Sequence, residues 1–235
     1  MTGHLVLAIA AFQELSGQGV YPPVYPVGPF VRSCADDAAA QHGCLCWLDD
    51  QPDGSVLLYI CFGSGGTLSV EQTAELAAGL EACGQRFLDK DSSAAYLDAA
   101  GHGGDDPLSF LPEGFTGRTK GVGLCVPHWV PQVEVPHHRT VGGFLSHCGW
   151  SSTLEAVDVG VPMLAWPLFA EQRMNAVMLE QRAGMALRPA SARDGCRVVP
   201  REVVVAVVRE LIYIYGGGEG EGGEEESEGN EEGGG

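Results

Sequence analysis

His147, Gly149, Ser151, Ser152 and Glu155 fall within nine consecutive residues. An imidazole, two hydroxyls and a glycine that leaves the backbone open to approach are groups that hold an anion. They stand at the start of a helical stretch, where free N–H groups and the positive end of the helix dipole favour phosphate. Glu155, one turn into that helix, suits vicinal hydroxyls such as those of a ribose. Upstream, Trp129 and Gln132 lie on a proline-flanked loop, where an indole can stack on a base. Downstream, Glu171 and Gln172 follow an apolar run at 163–166, and a carboxylate beside an amide can read sugar hydroxyls. Together these groups describe a nucleotide-sugar site. The glycine loop 63–66, with Ser64, is a second anion candidate. It lacks the third Gly of GxGxxG and the Lys of a P-loop, so it meets neither fingerprint.

Such groups need strand ends and helix starts to aim them. Residues 56–62 (VLLYICF) form a continuous apolar, β-rich run, as in a buried parallel strand. Ser69 and Gln72 form a capping box, and the helix it opens runs to Cys83 with Leu76, Leu80 and Cys83 on one face. Gly84 stops it. The next strand starts at Arg86-Phe87-Leu88, and Asp89-Lys90-Asp91 cuts it short. Residues 89–120 read as loop, and 121–127 and 140–146 as strands. Ser152 and Glu155 form a second capping box for a helix to Val159, ended by Gly160-Val161-Pro162. A strand at 163–166, a helix at 170–183 and an amphipathic helix at 201–211 follow. Residues 44–50 make a short helical turn, and 1–20 are mildly helical. Alternating strands and helices imply an α/β domain with a parallel sheet.

Composition narrows the partners. The 235 residues carry 13 Lys+Arg against 31 Asp+Glu, a net charge of −18. Eight Glu and no basic residue lie in the Gly/Glu tail 216–235, so the rest carries −10. Clustered basic residues for nucleic acid or anionic membranes are absent from the sequence, and no apolar run is long enough for a membrane span. The tail has too little apolar surface to offset chain entropy and reads as disordered. Eight cysteines without a CxxC pair, several in apolar runs, read as reduced core thiols and point to the cytoplasm. His128, His137 and His138 with Cys125 match no zinc spacing, and the G-x-S-x-G of a nucleophile elbow does not occur.

The 44 residues from Trp129 through Gln172, WVPQVEVPHHRTVGGFLSHCGWSSTLEAVDVGVPMLAWPLFAEQ, resemble without a gap the signature box of the plant secondary-product UDP-glycosyltransferases. The likeness extends over about 21–211 through YPVGPF, SVLLYICFGSGGTLSVEQTAELAAGLE, LPEGF and EQRMNAVMLEQRAGMALR, and the wording is closest to the hydroquinone glucosyltransferase (arbutin synthase-like) group. The resemblance implies a Rossmann-like parallel sheet with helices on both faces, like the C-terminal domain of a GT-B glycosyltransferase. The expected division is a remnant helix and Pro-rich linker at 1–30, a UDP-sugar-binding domain at 31–212 and a disordered tail at 213–235.

It also implies roles. Trp129 stacks on uracil and the Val130 backbone pairs with its edge. Gln132 and Glu155 hold the ribose. His147 and Ser152 bind the diphosphate, with Ser151, the backbone of Gly149 and Trp150, and Ser64. Glu171 and Gln172 hydrogen-bond the sugar. The expected activity is transfer of glucose from UDP-glucose to a hydroxyl of a small phenolic or other secondary metabolite, with inversion. Neither cofactor nor metal is implied. The family's catalytic base lies in an N-terminal domain outside the likeness, so the alternative is a catalytically inactive UDP-sugar-binding fragment. Three departures stand out. Ser151 replaces an Asn, the strand at 86–88 lacks the family's apolar continuation ending in Arg, and the Gly/Glu tail replaces a C-terminal helix.

Overall fold

Among the described residues, six short segments pair in parallel, and each contributes alternate side chains to opposite faces of one sheet. The computed structural model describes residues 2–25, 31, 42–52, 55, 57–90, 108–127, 129–189 and 198–215, with side chains from residue 9 onward. The strands are β1 (Leu57–Cys61), β2 (Arg86–Lys90), β3 (Gly123–Val126), β4 (Val141–Ser146), β5 (Met163–Ala165) and β6 (Ala186–Leu187). Their order in the sheet is β3-β2-β1-β4-β5-β6. The helices are α1 (Thr2–Gly17), α2 (Gly43–Asp49), α3 (Val70–Cys83), α4 (Phe115–Arg118), α5 (Glu134–His137), α6 (Trp150–Val159), α7 (Gln172–Met178, continued by a π turn over Leu179–Ala183) and α8 (Arg201–Tyr215).

All five residues of β1 are buried, because helices cover both faces of the sheet. Leu57, Tyr59 and Cys61 face Cys44, Leu45 and Leu48 of α2, with Phe144, Met163 and Ala176 in the same cluster. Leu58 and Ile60 face Leu76 and Leu80 of α3 and Val204, Val208 and Leu211 of α8. Parallel strands buried on both sides must be apolar throughout, which is why 56–62 shows no alternation. The register sets Cys61 of β1 level with Lys90 of β2 and with Ser146 of β4, and Ser146 level with Ala165 of β5. The carboxyl ends of four strands therefore finish on one row.

Several sequence expectations change. Strand β2 is not cut at Leu88. Asp89 and Lys90 stay in the ladder, paired with Cys125 and Val126, because both are only partly buried at the sheet's carboxyl edge. Ser69 does cap α3, its hydroxyl accepting from the Gln72 N–H at 3.2 Å, but Gln72 does not reciprocate. Its buried amide instead donates to the Val199 carbonyl at 3.1 Å and accepts from the Val199 N–H at 2.7 Å. Gln72 thus braces α3 against the chain entering α8. A short helix, α4, and a two-residue strand, β6, occur where no periodicity signals them. Helix α8 runs to Tyr215, so it takes in 213–215, which the sequence assigns to the tail. The tail beyond, the linker from Pro26 to Phe30 and His128 lie outside the described residues. The six described cysteines are free thiols, with Cys44, Cys61 and Cys148 buried. Among the described residues, no helix is long and apolar enough to cross a membrane.

Candidate functional site

From β1 the chain works outward through β2 and β3, then crosses to β4 on the other side of β1. Loops leaving the carboxyl ends of β1 and β4 diverge at this reversal and open a crevice, the place where open α/β sheets bind ligands. The first loop carries Gly63 and Ser64, and the second carries His147, Cys148 and Gly149.

The His147 ring is wedged between two glycines. A Cβ on Gly63 would lie 2.8 Å from its Cε1 and Nε2, and one on Gly149 would lie 2.4 Å from Nε2. Gly63 also has φ +78, which favours glycine in its own right. Cys148, between the histidine and Gly149, has φ 60, an uncommon conformation for a residue with a Cβ. Two bonds hold it there: its N–H donates to Ser146 Oγ at 3.3 Å, and its carbonyl accepts from Asn175 Nδ2 at 3.0 Å. Asn175 is itself buried, so the clamp comes from inside α7.

This turn fixes where α6 begins. Gly149 occupies the cap position with no side-chain cap, and the helix starts at Trp150. The second capping box is therefore corrected. Ser152 lies in the first turn and not at the cap, and Glu155 lies deeper, because the Cys148 turn brings the helix start forward. The first intrahelical bond is donated by the Thr153 N–H to the Gly149 carbonyl at 2.9 Å, so the N–H groups of Trp150, Ser151 and Ser152 precede it. Burial lowers the pKa of His147 and outweighs the Cys61 backbone and the Glu171 carboxylate, which favour the protonated ring, while Lys90 adds to the lowering. Nδ1 is buried and makes no hydrogen bond of regular geometry. A neutral folded-state imidazole contributes stability above the unfolded pKa, and that contribution is lost as pH falls toward the folded one. The Cε1–H resonance of His147 should accordingly titrate below the ordinary histidine value. Titration at or above that value would contradict the burial argument.

The other expected residues distribute unevenly. Trp129 is 61% exposed on the loop after β3, its ring edge-on to His42 with centroids 5.7 Å apart. Val130 is fully buried. Gln132 reaches the end of β1, its Nε2 lying 3.9 Å from Cys61 Sγ. Glu155 is half-buried and its charge is felt at the Tyr59 hydroxyl. Trp150 and Ser151 are exposed, whereas Trp166 is a core aromatic. Ser64 is exposed on its loop, and Glu171 is exposed within electrostatic range of His147. Gln172 is buried, and its Oε1 accepts from the Leu168 and Phe169 N–H groups at 2.8 and 3.0 Å. That oxygen tightens its own loop, so only the amide nitrogen is left to meet a ligand.

Asn175, His42 and Lys90 are not signalled by the sequence. A lone Asn inside a helix and a lone His before one carry no pattern. Lys90 is hidden because Asp89 and Asp91 on either side of it read as a strand stop.

An open parallel sheet in this order, with its crevice at the reversal, defines a Rossmann-like α/β domain. The family model described as "UDP-glucoronosyl and UDP-glucosyl transferase" matches residues 21–191, and the chain belongs to that family. UDP-glycosyltransferase 72B2 of Arabidopsis thaliana is 49% identical over 213 residues, which cover 87% of this chain and 43% of that protein. Hydroquinone glucosyltransferase of Rauvolfia serpentina is 49% identical over 198 residues, covering 81% of this chain and 41% of that protein. The chain thus spans about two fifths of the length of these relatives, within their C-terminal half. Among solved structures, Phytolacca americana UGT2 complexed with UDP-2fluoro-glucose and pterostilbene superposes with TM-score 0.71 at 49% identity, covering 86% of this chain and 42% of that one. The described sheet matches one Rossmann-like domain of the GT-B UDP-glycosyltransferases.

Proposed function

We propose that this chain is the donor-binding half of a UDP-glucosyltransferase that moves glucose from UDP-glucose to a hydroxyl of a small phenolic or related secondary metabolite. The observation that carries the reading is the half-buried His147, wedged at the strand-order reversal beside the uncapped N-terminus of α6. Uracil stacks on the exposed Trp129, with the Val130 backbone at its edge. Gln132 and Glu155 take the ribose. The diphosphate lies against His147, Ser151, Ser152, the N–H groups at Gly149 and Trp150, and Ser64. Glu171 and the amide nitrogen of Gln172 take the sugar. As the glycosidic bond to UDP breaks, negative charge grows on the leaving phosphate. Preoriented N–H groups and a neutral imidazole donor stabilise that charge without reorganising. The acceptor's proton goes to a base that the resemblance puts in the other domain. The donor unit would run from residue 31 to the end of α8, with the helix and linker at 1–30 before it and the tail after it, in the cytoplasm.

The second reading is a UDP-sugar-binding unit with no turnover of its own, and the two-fifths coverage of the relatives favours it for the 235 residues taken alone. One experiment addresses both. The full chain is heated with and without UDP, then incubated with UDP-glucose and a simple phenol. UDP should raise the melting temperature. Glucoside and free UDP above a His147→Ala background would favour the enzyme over the binding unit. No thermal shift at millimolar UDP would refute donor binding itself.

A further inference from the structure

The crevice described above is lined by an imidazole, hydroxyls and backbone N–H groups, none of which carries a full positive charge at neutral pH. A diphosphate carries at least two negative charges. Among the residues placed around the crevice, one cation approaches from the side opposite α6. Lys90 is the last residue of β2, level with Cys61, the last residue of β1. Its Nζ donates to the Gly63 carbonyl at 2.9 Å. Gly63 is the glycine whose Cα lies against the His147 ring. The ammonium is therefore anchored on the same loop that closes one side of the imidazole, and its charge is felt at both His147 and Cys61.

This position depends on the corrected strand. Had β2 ended at Leu88, Lys90 would lie in a loop with no fixed direction. Held in the ladder opposite Val126, it is aimed along the carboxyl edge of the sheet. An ammonium carries three donors, so one can hold a carbonyl while the same group meets an anion. Charge-assisted bonds to phosphate are also stronger than the neutral bonds that the rest of the crevice supplies.

We propose that Lys90 is a phosphate-binding residue of the donor site, supplying from β2 the positive charge that faces the diphosphate across the crevice from the α6 N-terminus. The inference rests on the donor-site reading above. The anchor on Gly63 also gives Lys90 a second effect, because it ties the first glycine loop to β2 and so fixes the wall against which His147 packs.

The test compares UDP with uridine, which shares the base and ribose but carries no phosphate. Affinities of the full 235-residue chain are measured by calorimetry for the parent, Lys90→Met and Lys90→Arg, with melting temperatures recorded for each. Removing a charge-assisted contact should weaken UDP about tenfold. Uridine affinity should stay within about twofold, and Lys90→Arg should recover most of the loss by restoring the cation. The salt dependence of UDP binding should also flatten in Lys90→Met. If Lys90→Met binds UDP within twofold of the parent, the inference is overturned while donor binding stands. An equal loss of UDP and uridine would overturn it as well, because Lys90 would then act only through the loop. If the parent binds neither ligand, the donor-site reading fails first and takes this one with it. Should Lys90→Met melt markedly lower than the parent, Lys90→Gln keeps a donor for Gly63 without the charge, and the same UDP-to-uridine comparison decides.

Discussion

Gly149→Ala is expected to weaken UDP binding by roughly a hundredfold, about 3 kcal/mol, while leaving the fold intact. The backbone at Gly149 has φ −60 and ψ 148, which alanine adopts without strain. Its glycine is therefore required only by what a Cβ would touch, and that is His147 Nε2 at 2.4 Å. The ring cannot step back, because Gly63 closes the other side. It must rotate out of the crevice or push α6 away, and either move breaks the convergence of imidazole and helix N-terminus. Calorimetry with UDP measures the loss. A change below threefold, with the imidazole still buried, would mean that the wedge does not organise the site. Gly160 provides the contrast. A Cβ there meets nothing, but the φ of +79 strains it, so Gly160→Ala should cost stability and leave UDP affinity alone.

Phe144→Ala is expected to cost about 3–5 kcal/mol of folding free energy. Phe144 is 2% exposed on the central strand β4, and its ring stacks on Tyr59 with centroids 4.8 Å apart and planes 17° from parallel. Truncation leaves a cavity between the sheet and the α2 side, and the neighbouring strands, paired on both edges, cannot close over it. For a domain of this size each kcal/mol moves the melting temperature by roughly 2–4 °C, so a fall of about 6–20 °C should follow. Urea unfolding gives the free energy directly. Phe12→Ala, at a ring 43% exposed on α1, should change it by less than about 0.5 kcal/mol. Equal effects at the two positions would mean that the β4 face is not the core.

The sheet is legible in the sequence because burial on both faces forces apolar runs, unbroken at 56–62 and 163–166 and interrupted only by small residues at 140–146. Helix α3 was legible from both ends, since Ser69 and Gly84 carry the local chemistry of a cap and a stop. Its Gln72 is not legible, because a capping box is a local pattern and nothing local reveals that Val199 lies beside it. The end of strand β2 is not legible for the related reason that Asp and Lys lower strand propensity. An edge position at the mouth of a crevice tolerates them, and tertiary context decides. The α6 cap, Gly149, lies three residues before Ser152, and the sequence hides it because a Cys with positive φ is uncommon and the clamp that holds it, Asn175, sits 27 residues away. The chemistry-bearing residues are legible as a cluster of residue types and, Ser64 apart, all lie within the signature box. What the residues alone could not supply was the wedge of His147 between two glycines, because Gly63 and Gly149 meet only through the β1–β4 pairing.

The Gln72–Val199 brace has a consequence for the order in which the molecule can be completed during synthesis. The face of the sheet formed by Leu58, Ile60, Leu145 and Leu164 is covered partly by α3 and partly by Val204, Val207, Val208 and Leu211 of α8. All six described strands emerge from the ribosome before α8 does. The nascent chain therefore carries a nearly finished sheet with an oily strip left bare and with the Gln72 amide still unpaired inside it. That interval, ended only when residues 199–211 arrive, is when the chain is most open to holding chaperones and to self-association.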